Sequence, residues 1–269
     1  MNPLDQSTTY SVPLPSCLNL SRDETTLILR LSRPEKRNAL SDELVLGLSA
    51  FFATVPSDVT GIVLHGEGEH FCAGLDLNEV KEGDVTKNLQ TSIIGQRLND
   101  AIQFCSVPVV AVLHGAVIGG GLELAAAAHI RVAEPTTYYA LPEGVRGIFL
   151  GSGGSVRIPR LVGTARVIDM MLTGRTYGAQ EGYQLGFSQY LVEAGNGLAK
   201  GLELAKLIAR NAPLANYAIL QALPRIVEEH PIDGLLTERL MSTVTQSGEE
   251  TKRRMRDFLE HKMNKVTHD

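Results

Sequence analysis

Two acids stand where acids are uncommon. In HGAVIGGGLEL, residues 114–124, Glu123 sits among leucines and alanines just past three consecutive glycines. Further along, YYALPEGVRG places Glu143 directly after Pro142, again among apolar residues and ahead of more glycine in GIFLGSGG. Glycines at a strand-to-helix junction leave backbone N–H groups open to a ligand. A helix N-terminus adds unpaired donors and the positive end of a dipole. A permanent phosphate fits poorly: Leu122 and Glu123 stand where a phosphate loop needs Lys-Ser or Lys-Thr, and G-x-x-x-G-G-G is not the dinucleotide pattern. An oxyanion that forms only during reaction fits better, with acids nearby to move protons. Each acid also has a structural alternative. Glu123 suits a first helical turn, and Pro-Glu is a common helix start. HFCAGLDL, residues 70–77, is another small-residue turn after a strand and can present N–H groups in the same way.

The elements that must position these groups alternate in type, which indicates an α/β class. An extended apolar segment spans Leu27–Leu31, and a turn follows at Pro34. Ser41 is a suitable N-cap for a helix carrying Leu44, Val45, Leu48, Phe51 and Phe52. GIVLHG (61–66) and VPVVAVL (107–113) read as strands, each feeding a glycine turn. Residues 78–88 are polar and read as a surface loop or frayed helix, ahead of a helix from Ile93 to Phe104. Thr137–Leu141 reads as a weak extended piece, and the chain is mainly helical beyond Leu198. The expected organisation is therefore a core over residues 1–200, with residues 1–20 as a flexible lead-in, and a helical region over 201–269.

The 269 residues suffice for a sizeable core, and the net charge of −5 argues against general nucleic-acid binding. The basic cluster KRRMR (252–256) is expected to be a solvated helix face. No apolar stretch is long enough to span a membrane, and the N-terminus lacks the pattern of a secretory signal. Cys17, Cys72 and Cys105 make neither a disulfide framework nor a zinc site, so no metal is expected, and a reducing, cytoplasmic setting is. Cys72 reads as a small buried residue rather than a nucleophile. Ser152 and Ser155 do not sit in G-x-S-x-G.

Taken together, RPEKRNAL (33–40), HFCAGLDL (70–77), HGAVIGGGLEL (114–124), LPEGVRGIFLGSGGSVRIPRLVG (141–163) and MMLTGRTYGAQEGYQLG (170–186) resemble the crotonase, or enoyl-CoA hydratase/isomerase, superfamily. The resemblance runs from about residue 25 to about residue 262. It implies a spiral of β-β-α turns followed by a helical trimerisation region, with assembly as a trimer or a hexamer of two trimers. It implies an acyl-CoA thioester substrate, with coenzyme A entering as part of the substrate and no separate cofactor. The N–H groups of Leu75 and Gly120 match the positions that hold the thioester oxygen. Glu123 and Glu143 match the two acids of water-adding members, whereas double-bond isomerases typically keep only the second. Lys36, Arg37, Ala39, Ala73 and Asp76 match the CoA-gripping segments, and Phe258 and Lys262 match residues of the last helix that reach the nucleotide.

Several positions depart from the family pattern. His129 stands where Asp is frequent and is expected to be a packed or capping residue. Gly144 replaces a branched aliphatic residue, which is expected to widen or reshape the acyl pocket. These departures suggest a specialised acyl group, a sulfur-substituted acryloyl-CoA among the possibilities. Hydrolysis of the thioester, isomerisation, and a catalytically idle CoA- or RNA-binding role remain the alternatives to hydration on this scaffold.

Overall fold

A computed structural model describes residues 13–76 and 84–260. The chain divides into two compact units after Leu207.

The first unit opens with β1 (Leu18–Asp23) antiparallel to β2 (Thr26–Leu31), followed by α1 (Asp42–Ala53) and β3 (Gly61–Gly66). Ser41 caps α1 by accepting from the Leu44 N–H at 3.2 Å. Then come α2 (Val85–Gln103), β4 (Val109–Leu113), β5 (Ala116–Ile118), α3 (Gly120–Ala127), β6 (Ile130–Ala133) and β7 (Tyr138–Ala140). The unit continues with α4 (Gly154–Val162), α5 (Thr164–Thr173), β8 (Thr176–Gly178), α6 (Ala179–Leu185), β9 (Tyr190–Leu191) and all but the last two residues of α7 (Gly197–Ala209). One sheet has the order β1-β2-β3-β4-β6-β9, parallel from β2 onward, and a smaller sheet has the order β5-β7-β8. Each turn of the chain gives one strand to the large sheet and one to the small, β4 with β5 and β6 with β7. Cys72 extends the pattern by bridging Val117. This is the expected spiral of β-β-α turns.

The apolar runs Ile62–Leu64 in β3 and Val109–Leu113 in β4 are what a parallel sheet covered on both faces requires. Ile62, Leu64, Ala111 and Leu113 face the main core with Leu44, Leu48 and Phe51 of α1. Val63 and Val112 face the other way and pack on Ala205 of α7.

Two expectations need correction. The flexible lead-in does not extend to residue 20: Cys17 and Leu18 are buried, and β1 starts at Leu18 in register with Leu31. The alternation of Leu18 and Leu20 against Leu31 and Leu29 is the period-two pairing that orders it. Residues 1–12 lie outside the described residues. The second helix also begins earlier than Ile93, at Val85, inside the segment read as a surface loop or frayed helix. Asp84 caps it by accepting from the Lys87 N–H at 2.8 Å, and its first two turns expose Val85 and Leu89.

His129 is the packed residue expected. Its Nδ1 accepts from the Val109 N–H and its Nε2 faces the Gln103 carbonyl, each at 2.9 Å, which ties the end of α2 to the start of β4. The Val109 donor requires a bare Nδ1, so Nε2 carries the proton. Burial holds the imidazole at about 4, below its ordinary 6.5, and burial does the same to His65. The unfolded chain therefore binds protons before the folded one does as pH falls through that interval. The stability these two residues lend is present above 6.5 and is lost toward 4. Denaturant unfolding should show this decline. His129→Leu, which strands a buried N–H and a carbonyl, should cost about 2–4 kcal/mol near neutral pH and flatten the slope.

The second unit holds α8 (Pro213–Ile226), α9 (Pro231–Ser247) and α10 (Glu249–Leu259). The basic cluster is the solvated face expected: on α10, Lys252 pairs with Glu249, and Arg253 and Arg254 pair with Glu250, at 2.7–2.8 Å. No helix among the described residues is long and apolar enough to cross a membrane.

Candidate active site

The glycine run is the passage from β5 into α3. Gly119 is left-handed at φ 51°, and a Cβ there would stand 2.5 Å from Glu143 Oε1. Gly121 has no room for a Cβ because the Cys72 carbonyl oxygen lies against it. Gly120, between them, opens α3, and its N–H has no acceptor among the described residues. Absence of side chains thus lets α3 start in contact with the 70–76 turn.

That turn supplies a second open donor. Leu40 and Leu75 form a parallel bridge in which the Leu40 N–H donates to the Gly74 carbonyl at 2.7 Å and the Asp76 N–H donates to the Leu40 carbonyl at 3.0 Å. In a parallel bridge of this kind the Leu75 N–H points away from Leu40. It too lacks an acceptor among the described residues. The two open amides are neighbours: a Cβ on Gly120 would lie 3.7 Å from Leu75 N, and one on Gly74 would lie 3.5 Å from Gly120 N. They can therefore hold one oxygen.

Both acids are buried beside them, at 4% exposure for Glu123 and 7% for Glu143. Glu123 Oε1 accepts from the N–H groups of Ser152 at 2.9 Å and Gly154 at 2.8 Å, in the turn that starts α4. Burial raises its carboxyl above the usual range, while those two amides and the Arg157 charge draw it back. Glu143 stands just before the short helical turn Gly144–Arg146. Burial raises it also, its own backbone N–H and Arg146 oppose, and the nearby Glu123 charge pushes it further up. Its Oε2 is buried with no hydrogen-bond partner among the described residues. The two carboxyls thus share one electrostatic environment but differ in what holds them: two amides on Glu123, and an unpartnered oxygen on Glu143.

The remaining candidates fall on several segments. Lys36 and Arg37 are exposed on the turn after Pro34, where the Arg37 carbonyl accepts from the Ala73 N–H at 3.0 Å. Ala39 and Asp76 are joined by Arg33, which donates to the Ala39 carbonyl at 2.5 Å and to Asp76 Oδ2 at 2.8 Å. Phe258 is half-exposed on α10, in the second unit, and Lys262 lies outside the described residues. Cys72 is buried, its thiol pushed up to about 12 by burial, which fits a packing residue and not a nucleophile. Gly144 does not widen a pocket: a Cβ there would meet the Met171 carbonyl oxygen, so glycine lets the turn sit against α5.

Sequence reasoning missed three groups. Asn38 is fully buried, donating to the Glu67 carbonyl at 2.9 Å and the His70 carbonyl at 2.7 Å while accepting from the Arg33 N–H at 2.9 Å. It locks the 33–40 segment to the turn that carries Leu75. Its signal was an Asn in a short tight turn, since Asn tolerates the left-handed backbone found here at φ 54°. The amides of Ser152 and Gly154 left no signal that would have aimed them at Glu123.

The enoyl-CoA hydratase/isomerase family model matches residues 21–268. The chain is 33% identical over 245 residues to 2,3-dehydroadipyl-CoA hydratase of Escherichia coli K12, covering 90% of this chain and 95% of that protein. A solved structure from Rhodopseudomonas palustris CGA009, provisionally assigned as an enoyl-CoA hydratase, superposes with a TM-score of 0.90 at 56% identity, over 94% of this chain and 98% of that one. An enoyl-CoA hydratase from Bacillus anthracis superposes with a TM-score of 0.86 at 26% identity, over 91% and 96%.

Proposed function

The chain belongs to the enoyl-CoA hydratase/isomerase family, and on that premise we propose that it adds water across the α,β double bond of a 2-enoyl-CoA thioester. The observation that carries the proposal is the paired carboxyls of Glu123 and Glu143 beside the two open amides of Leu75 and Gly120. In the proposed reaction, Leu75 N–H and Gly120 N–H donate to the thioester oxygen. Charge develops on that oxygen as water adds to the β-carbon, and preorganised donors are worth most there.

Two buried carboxyls that repel each other share one proton most cheaply. The differing surroundings support a division of roles. Glu123, whose charged form is favoured by two amides and Arg157, takes a proton from water. Glu143, with an unpartnered oxygen, keeps the proton and delivers it to the α-carbon. Isomerisation needs only one acid to shuttle a proton, so it gives the amide-held Glu123 no task.

The proposal is tested with a panel of 2-enoyl-CoA thioesters, including a sulfur-substituted acryloyl-CoA. Loss of the conjugated enoyl-thioester absorbance without release of free thiol is the expected result. Thiol release would point to hydrolysis, and CoA binding without turnover of any substrate would point to an idle member.

The second unit supports assembly into a trimer or a hexamer. Its helices carry Leu223, Ile232, Leu235, Leu236 and Leu240, each at least 49% exposed. Large exposed apolar side chains gathered in one unit suit an interface with another chain. Light scattering should give a mass that is a multiple of three chains. Leu235→Glu with Leu240→Glu should lower it.

A further inference from the structure

Helix α2 presents a row of small and polar residues to the turn that holds Glu123. Ser92, Gly95, Asn99 and Gln103 follow helical spacing on one face. A Cβ at Gly95 would overlap the Ser152 hydroxyl and come within 3.0 Å of the Ser152 Cβ, and one at Gly151 would come within 3.0 Å of Ser92 Oγ. Asn99, 3% exposed, donates from Nδ2 to the Ser152 carbonyl at 2.8 Å. Gln103 Oε1 accepts from Arg157 Nε at 2.6 Å, and Asp100 pairs with Arg157 Nη2 at 2.5 Å.

Ser152 therefore lies between Asn99 and Glu123. Its carbonyl takes the Asn99 amide at 2.8 Å and a longer contact from Arg157 Nη1 at 3.5 Å, and its N–H goes to Glu123 Oε1. Asn99 Oδ1 is buried with no hydrogen-bond partner among the described residues. A buried amide that leaves one end unsatisfied carries a cost that packing does not explain, since leucine would fill the same space without it.

We propose that Asn99 is a positioning residue: through the Ser152 carbonyl it fixes the amide pair that orients Glu123. The inference rests on Glu123 serving as the base of the proposed hydration. Aspartate would not replace it, because its carboxylate would face the Ser152 carbonyl and add a negative charge close to Glu123. The charged groups facing Glu123 are Glu143, from the segment after β7, and Arg157, from α4 with its partner Asp100 on α2. Asn99→Leu leaves all of them in place and removes the shorter of the two donors to the Ser152 carbonyl, the other being Arg157 Nη1 at 3.5 Å.

The test reads Glu123 directly, without substrate. In protein carrying ¹³C-labelled glutamate carboxyls, the Glu123 signal is assigned by its loss in Glu123→Gln and then followed against pH. Asn99→Leu should raise the Glu123 midpoint by on the order of one pH unit. With a hydrated enoyl-CoA, its acid limb should move the same way, and kcat should fall about tenfold with KM nearly unchanged. Gly95→Ala disturbs the same turn from the same helix face and should shift the midpoint in the same direction. Adding Ser152→Gly to it removes the overlapping atoms and should bring the midpoint back. If Asn99→Leu fails to fold, the Gly95→Ala pair carries the test alone. A folded Asn99→Leu with an unmoved Glu123 midpoint overturns the proposal, as does a kcat loss with an unmoved pH profile. A shifted midpoint in a protein that hydrates nothing upholds the positioning role and overturns the hydration.

Discussion

Glu143→Gln is expected to lower kcat for 2-enoyl-CoA hydration by about a thousandfold while CoA affinity holds, and Glu123→Gln is expected to do the same. Glutamine keeps the volume and removes only the titrating oxygen, so each substitution breaks proton transfer without emptying a buried site. The double variant should be scarcely worse than either single one, because the two acids act on one event. The pH profile should be bell-shaped. Falling pH protonates Glu123, whose carboxyl is raised by burial, and the base is lost. Rising pH strips Glu143, raised by burial and by its neighbour's charge, and the acid is lost. Each single variant should remove one limb.

The second large effect is expected from a residue without a side chain. Gly121→Ala places a methyl group against the Cys72 carbonyl oxygen, on the backbone that joins the 70–76 turn to α3. Backbone cannot swing aside as a side chain does, so α3 must move away from the turn. That separates the amides of Gly120 and Leu75. The loss of a shared oxyanion site should cost about 3 kcal/mol, or on the order of a hundredfold in kcat. Glu123 and Glu143 remain, so the pH profile should keep its shape while its height drops. Circular dichroism and a melting curve on the same preparation separate this from unfolding.

The acids and the glycine turns were legible because their chemistry is local. Three glycines before an acid at a helix start say in sequence what they do in space, and Ser41 as a cap is equally short-range. The assembly of the site was not local. Ser152 and Gly154 reach Glu123 across about thirty residues, and no spacing rule links them. Asn99 is hidden for the same reason, because an asparagine between Leu98 and Ile102 looks like an interruption of a helix face until Ser152 is seen against it. The first turns of α2 escaped because their apolar residues, Val85 and Leu89, are exposed and leave no buried stripe to detect. Gly144 misled in the opposite sense. A missing side chain suggested space, whereas the Met171 carbonyl already fills it.

The most direct measurement is a crystal structure of the Glu143→Gln variant with a 2-enoyl-CoA bound. The thioester oxygen should lie within about 3 Å of both Leu75 N and Gly120 N, with Glu123 facing the β-carbon and residue 143 facing the α-carbon. A thioester oxygen held elsewhere, or an enoyl group with the two acids on remote sides of the pocket, would contradict the shared site on which the hydration depends.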